Sequence, residues 1–142
     1  MLISSRLLHA ILEQYRLPPE GVHGVTHWAR VAENGRRLAE ITGAHRDIVT
    51  LFAYLHDACR ASEDWDPERG TRAAQLAARW RGIYFDLSRK DFDLLYTACA
   101  AQGDGLLEGD ITLQTCWDAD RLDIGRVGVA LIPSLLCTEA AR

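Results

Sequence analysis

Histidine and aspartate side chains at three places in this sequence could together hold a metal ion. His56 and Asp57 are adjacent, His27 precedes them, and Asp120 follows them much further along the chain. Two imidazoles and two carboxylates form a mixed nitrogen and oxygen ligand set that suits a divalent ion such as Mn, Fe, Co, Mg or Zn. Because aspartate is common, this spacing is weak evidence by itself. The hypothesis therefore depends on the elements that position these side chains.

Apolar residues recur at helical spacing around the first of these groups. A first helix is predicted over residues 7–15, before Pro18 and Pro19, and a second over 25–41, where Gly43 favours a left-handed C-cap. A third is predicted from about residue 45 to residue 59. If the second and third helices pack antiparallel, the start of one meets the end of the other. His27 would then lie beside His56 and Asp57.

The second half of the chain is also predicted to be helical. Residues 61–70 form a loop before an Ala-rich helix that runs through Arg79. Ser88 and Asp91 match a capping box that opens the next helix. After a Gly-rich loop at 103–110, a further helix holds residues 113–122, and Pro133 opens a short last turn. The fold class expected is an all-α helical bundle.

Length and composition predict one ordinary globular domain over residues 1–142. Apolar residues make up 48% of the chain and charged residues 25%, which are average values. The net charge of −4 excludes the basic field of a protein that coats nucleic acid. The N-terminal segment lacks the zones of a signal peptide, because Arg6 and His9 interrupt its apolar stretch, and no later run reaches the roughly 18 apolar residues of a membrane span. The oligomeric state stays open.

The four cysteines form no C-x-x-C pair, so neither a zinc knuckle nor a dithiol redox motif is predicted. They are Cys59, Cys99, Cys116 and Cys137. We expect reduced thiols and a cytoplasmic location.

Three stretches resemble the HD superfamily of metal-dependent phosphohydrolases. They are HGVTHWARV at 23–31, LFAYLHDACR at 51–60 and CWDADRLDIGRVG at 116–128. The resemblance covers about residues 20–130 and implies an HD-like helical bundle. It also implies that His27, His56, Asp57 and Asp120 are the metal ligands. Asp118 competes with Asp120 for the last position, and the Ala-Asp-Arg-Leu order favours Asp120.

The sequence departs from the pattern of HD proteins that bind two metals. Those proteins carry two further histidines between the doublet and the last aspartate. Arg69, before Gly70, and Gln102 stand where these histidines are expected, and no histidine follows His56. The resemblance therefore implies one divalent metal ion, or a degenerate site.

The reaction that the resemblance implies is hydrolysis of a small phosphate ester or a nucleotide. A metal ion would polarise a phosphoryl oxygen and activate water, and Asp57 is the candidate catalytic base. The candidate phosphate-binding residues near the ligands are His23, Arg30, Arg60 and Arg121. Purely structural roles stay open for several of these groups. Asp57 would then only pair with Arg60, Arg30 would pair with Glu33 or Asn34, and Asp118 would cap its helix or pair with Arg121.

Two other functions compete with this prediction. One is a degenerate HD-fold protein that binds a regulatory ligand or a partner without catalysis. The other is nucleophilic catalysis by Cys59, which lies three residues after His56 but has no oxyanion-hole motif beside it. Trp28 and Trp117 are predicted to be core residues because apolar helical positions surround them.

Overall fold

A computed structural model describes residues 3–142 and shows an all-α bundle, which confirms the predicted fold class. Six α-helices form in this part of the chain, with the bounds Ser5–Gln14 (α1), Val25–Thr42 (α2), Arg46–Leu55 (α3), Arg69–Trp80 (α4), Arg89–Ala100 (α5) and Ile111–Arg121 (α6). Short 3-10 turns follow at Ile124–Val127 and Pro133–Leu135. Residues 3–142 contain no strand, only an isolated bridge between Arg81 and Phe85.

Several helices begin and end at the predicted local signals. The Ser88 hydroxyl accepts a hydrogen bond from the Asp91 N–H and caps α5. The Asp91 carboxylate does not complete the capping box but lies 3.2 Å from His45 Nε2. Gly43 ends α2 with φ of 78°, a conformation that glycine adopts without steric cost. These ends depend on residues within one turn, which is why the sequence predicts them.

The third helix is shorter than predicted and ends at Leu55 rather than near Cys59. The ring nitrogen Nδ1 of His56 lies 2.9 Å from the Ala53 carbonyl and 3.1 Å from that of Phe52. The His56 ring thus occupies backbone carbonyls that would accept hydrogen bonds from the next N–H groups if the helix continued. The chain instead turns over residues 56–59. The turn directs the Asp57 side chain toward the same interior space as the His56 ring.

The core lies around α3, which contacts α1, α2, α5 and α6. One hydrophobic cluster contains residues from all six described helices, including Phe52, Trp28 and Trp117. Both tryptophans are buried, as predicted. A Cβ on Gly35 would lie 2.3 Å from Val49 Cγ1, so α2 and α3 approach closely there. This antiparallel contact brings the start of α2 to the end of α3.

The chain after α6 returns to the bundle through Asp118. The Asp118 carboxylate accepts hydrogen bonds from the Cys137 N–H at 2.6 Å, the Thr138 N–H at 2.8 Å and the Thr138 hydroxyl at 2.7 Å. Asp118 therefore neither caps its helix nor pairs with Arg121, contrary to both structural roles considered for it. Leu136, next to this contact, is buried. The C-terminal segment is thus fixed against α6.

Two further expectations concern membranes and disulfides. Among the described residues no helix combines the length and the apolar character needed to cross a bilayer. All four cysteines lie within the described part of the chain, and none is bonded to another.

Candidate metal centre

The four side chains predicted to bind metal converge at the junction of α2, α3 and α6. His27 Nε2 lies 3.0 Å from His56 Nε2. Asp120 Oδ1 lies 3.2 Å and 3.3 Å from these two nitrogens. Asp57 Oδ2 lies 3.4 Å and 3.5 Å from them. One oxygen of each aspartate thus lies within 3.5 Å of both histidine nitrogens.

The outer ring nitrogens of both histidines must carry hydrogen, because each faces acceptors only. His56 Nδ1 donates to the backbone carbonyls of Phe52 and Ala53. His27 Nδ1 donates to Asp123 Oδ2 at 2.7 Å. In the neutral rings, both Nε2 atoms therefore present lone pairs to each other across 3.0 Å. A cation between them, either a proton or a metal ion, removes this repulsion.

Two carboxylate oxygens at the same point also lack partners. Asp57 Oδ2 and Asp120 Oδ1 are buried and accept no hydrogen bond from the described residues. Unpaired buried carboxylate oxygens are costly, and a cation is their usual partner. An ion about 2.1 Å from each ligand atom would place neighbouring ligands about 3.0 to 3.4 Å apart. The separations among His27, His56 and Asp57 are close to this range, so these three residues form a group that could hold a metal ion. Asp120 Oδ1 lies near both imidazole nitrogens but is not part of that close group.

The pKa values of the ligands follow from this arrangement. Burial lowers the pKa of His27, but the adjacent Asp120 and Asp57 carboxylates favour the protonated ring, outweigh burial and raise the pKa from 6.5 to about 9. Burial raises the pKa of Asp57, but the neighbouring His56 charge and the adjacent His23 and His27 side chains hold it well below its usual range. The pKa of Asp120 is lowered in the same way by His56 and His27. Both carboxylates are therefore ionised at neutral pH.

This arrangement predicts a pH-dependent stability for the protein kept free of metal by a chelator. Because folding raises the pKa of His27 from 6.5 to about 9, its contribution is complete below pH 6.5 and is lost as the pH rises through 9. The loss should be on the order of 3 kcal/mol. Denaturant unfolding at a series of pH values measures it. Metal should cancel the trend, since metal replaces the proton on Nε2. A free energy of unfolding that stays flat from pH 6.5 to 9 without metal would contradict the prediction.

Asp123 and Arg30 form a second layer behind His27. Asp123 Oδ1 accepts a hydrogen bond from Arg30 Nε at 2.7 Å, while Oδ2 accepts from His27. A carboxylate behind a metal-binding histidine fixes its ring orientation and raises its basicity. Sequence reasoning did not select Asp123, although it lies within the third HD-like stretch. Arg30, predicted to bind phosphate, is instead used to hold Asp123.

Asp123→Asn is expected to weaken metal binding about 10- to 100-fold, because a neutral amide supports the His27 imidazole less well. Metal titration monitored by calorimetry would measure the change. Glu33→Gln is the matched control, because Glu33 is an acid on α2 that pairs with Arg36 at the surface. Equal metal affinities in the two variants would exclude the second-layer role.

A cavity of about 730 Å³ opens at Asp120, while His27, His56 and Asp57 are buried and lie outside its described lining. Its wall contains Asp120 and the basic side chains His23, Arg60, Arg69, Arg121 and Arg126. Glu63 and Asp64 also line it, so cationic groups outnumber acidic ones. His23, Arg60 and Arg121 thus line one cavity, whereas Arg30 lies outside its described lining.

Several of these side chains are held rigidly at the cavity. Arg60 donates to the carbonyls of Ser62 and Asp64, and its Nε lies 3.3 Å from Asp57 Oδ1. His23 Nε2 donates to the Glu63 carbonyl at 2.8 Å, which leaves Nδ1 as a lone pair 3.5 Å from Asp57 Oδ2. Anchored cations beside a metal site favour an anionic ligand.

Arg126 is a site residue that sequence reasoning missed. Its Nε donates to the Val22 carbonyl, and its Nη2 lies 3.3 Å from His23 Nδ1 and 3.9 Å from Asp120 Oδ1. Arg126 belongs to the third HD-like stretch, but only the 3-10 turn after α6 points it back to the site. No local sequence signal separates it from other arginines.

Cys59 is not placed for nucleophilic catalysis. Its thiol lies 3.7 Å from Gln14 Oε1, and the described lining of the arginine-rich cavity does not include it. Burial raises the pKa of Cys59, so the unreactive thiol form predominates. The structure gives no support to this alternative.

Comparisons with family models, with curated proteins and with solved structures gave no match for this chain. Function is therefore argued from the residues of the site.

Proposed function

We propose that this protein is an HD-type phosphohydrolase that uses one divalent metal ion to hydrolyse a small phosphate ester or a nucleotide. The ligands in this proposal are His27, His56, Asp57 and Asp120. One observation carries it: two imidazole lone pairs and two unpartnered carboxylate oxygens converge beside a cavity rich in arginine. Such a donor set suits Mn, Fe, Co, Mg or Zn.

In the proposed mechanism the chain binds the phosphate and moves one proton. The ion, when bound, supplies Lewis acidity toward a phosphoryl oxygen and toward water. Arg60, Arg121 and Arg126 bind the phosphate oxygens and offset their charge. Asp57 accepts a proton from the attacking water. His23, whose Nδ1 lies 3.5 Å from Asp57 Oδ2, is positioned to receive that proton. The water oxygen bonds to phosphorus as the bond from phosphorus to the ester oxygen breaks, and the leaving alkoxide takes up a proton and departs as the alcohol.

A single ion is proposed because Arg69 and Gln102 occupy the neighbouring positions. Arg69 Nε lies 3.8 Å from Asp57 Oδ1, where its positive charge replaces that of a second metal ion. Gln102 Nε2 donates to the His56 carbonyl at 2.8 Å and thereby supports the doublet. Both residues line the cavity. They therefore contribute charge and support rather than ligation.

The double variant Arg69→His, Gln102→His is expected to raise metal stoichiometry from one toward two, because it adds two imidazoles to the cavity and removes a competing cation. Elemental analysis after loading measures this. Arg69→Ala, Gln102→Ala removes the same groups without adding ligands and should stay at one. A stoichiometry of one in both variants would show that these positions cannot reach a second ion.

The proposal is tested by metal content and phosphate release measured together. Protein purified without chelator or affinity-tag metal should contain close to one equivalent and release phosphate from simple esters. Asp57→Ala should lose both, while its circular dichroism spectrum stays helical. Failure to bind metal after loading, or activity that survives in Asp57→Ala, would overturn the proposal.

A binding protein without catalysis is the second candidate, and the contact between Arg60 and Asp57 favours it. Arg60 Nε lies 3.3 Å from Asp57 Oδ1, so the proposed base already has a cationic partner. This function predicts tight binding of a phosphate ester with no release of phosphate at any metal loading. Calorimetry beside a phosphate assay separates the two candidates.

A further inference from the structure

A second, apolar cavity adjoins the arginine-rich one. It has a volume of about 260 Å³, and its apolar wall includes Ile124, Val129, Leu131, Ile132, Leu135 and Leu136. Gly105, Arg121, Ile124 and Val129 line both cavities, so the two spaces share one wall. A polar cavity beside the proposed metal site thus continues into an apolar one.

Arg121 marks the boundary between the two cavities. Its Nη1 contacts the Leu135 carbonyl at 3.2 Å and Cys137 Sγ at 3.2 Å. Its Nη2 is buried and has no hydrogen-bond partner among the described residues. An unpaired guanidinium nitrogen at this boundary favours an oxygen of a ligand that extends into both cavities.

The apolar wall is part of the fold. Asp118 holds residues 137 and 138 through three hydrogen bonds, and Leu136 is buried beside them. The wall nevertheless leaves apolar side chains in contact with water, with Leu135 56% exposed and Ile132 52% exposed. Apolar side chains held open next to a charged site favour a ligand with an apolar group.

We propose that the apolar cavity binds the organic group of the phosphate ester, and that this group is an alkyl chain or a single carbocyclic ring. The inference rests on the proposed function, in which the metal and the arginines hold the phosphate. Arg121 is the only polar side chain in the described lining of the apolar cavity. A nucleobase there would leave its donors and acceptors unpaired, which is strongly unfavourable. Of the substrates considered, the small apolar ester is therefore favoured over the nucleotide.

A homologous series of straight-chain alkyl phosphates tests the inference on the metal-loaded protein. From ethyl to hexyl phosphate, kcat/KM should rise about fourfold for each added methylene and then level off once the cavity is filled. Adenosine monophosphate should be a poorer substrate than hexyl phosphate. Equal kcat/KM values across the series, together with turnover of ethyl phosphate, would overturn the inference and leave the proposed function standing.

The variant Ile132→Ser tests whether the chain-length effect arises in this cavity. It should flatten the series by lowering kcat/KM for hexyl phosphate toward that for ethyl phosphate. Ile83→Ser is the matched control, because Ile83 is 54% exposed and lies outside the described lining of both cavities. A chain-length effect that persists in Ile132→Ser would overturn the assignment, whether it arises from adsorption elsewhere or from association of two copies of the chain.

Binding measurements separate failure of this inference from failure of the proposed function. If no ester is hydrolysed, the proposed function fails, and calorimetry with ethyl and hexyl phosphonate still tests the cavity. Tighter binding of hexyl phosphonate, lost in Ile132→Ser, would support the apolar site. Equal affinities for the two phosphonates would overturn it.

Discussion

Asp120→Asn is expected to abolish binding of the single equivalent of metal and to lower the rate of phosphate-ester hydrolysis on the order of a thousandfold. Asp120 Oδ1 is buried, lacks a hydrogen-bond partner among the described residues and lies 3.2 Å from His27 Nε2. Asparagine has the same shape but no charge, so the site loses one of two anionic ligands and the alignment of substrate with the ion. Elemental analysis and a phosphate assay measure the two effects.

Asp118→Asn is the matched control for Asp120→Asn, because it makes the same substitution two residues earlier on α6. Asp118 accepts three hydrogen bonds from Cys137 and Thr138. The variant should keep its metal but lose about 2 to 4 kcal/mol of unfolding free energy, since an amide cannot accept from all three donors. Loss of metal from Asp118→Asn with full occupancy in Asp120→Asn would reverse the assignment of the last ligand.

Arg126→Gln should lower kcat/KM about 100-fold and leave the metal in place. Arg126 Nη2 reaches within 3.9 Å of Asp120 Oδ1 from a backbone anchor at Val22, so its charge lies where a phosphate would sit. Removing one preorganised donor from a transition-state contact typically costs a factor of about 10² to 10³. Steady-state kinetics with a simple ester, beside elemental analysis, checks the prediction.

Arg30→Gln is the comparison for Arg126→Gln. Arg30 is the phosphate ligand that sequence reasoning selected, yet its side chain is 45% exposed and bonds to Asp123. Its loss should change kcat/KM only a few-fold, through the position of Asp123 behind His27. If Arg30→Gln were the more damaging variant, substrate would approach from the α2 side and the arginine-rich cavity would not be the active site.

Much of the architecture was predictable because its signals are local. Apolar spacing located the helices, and caps such as Ser88, Gly43 and Pro133 located several of their ends. The end of α3 was the exception, because the His56 ring, rather than a Gly or Pro, interrupts it. Propensity and periodicity do not register a side chain that bonds to its own helix.

The candidate ligands were also within reach of the sequence, because short motifs contain them. The doublet of His56 and Asp57 was recognisable as a unit, and His27 followed from antiparallel packing of two helices joined by a short loop. Asp120 and Asp118 were harder to separate. Both are acids on one helix, Asp118 buried and Asp120 partly buried, and only packing decides which faces the imidazoles and which faces the returning C-terminal segment.

The sequence by itself therefore determined the all-α class, most helix positions and the group of side chains that form the candidate metal site. Only the tertiary structure decided that Asp123 supports His27, that Arg126 rather than Arg30 faces the cavity, and that residues 129–136 form an apolar wall beside it. The physical reason is distance along the chain. Helices and caps depend on contacts within a few residues, whereas His27 and Asp123 are 96 positions apart and Arg126 and His23 are 103 apart. Such pairs meet only when the whole core has packed.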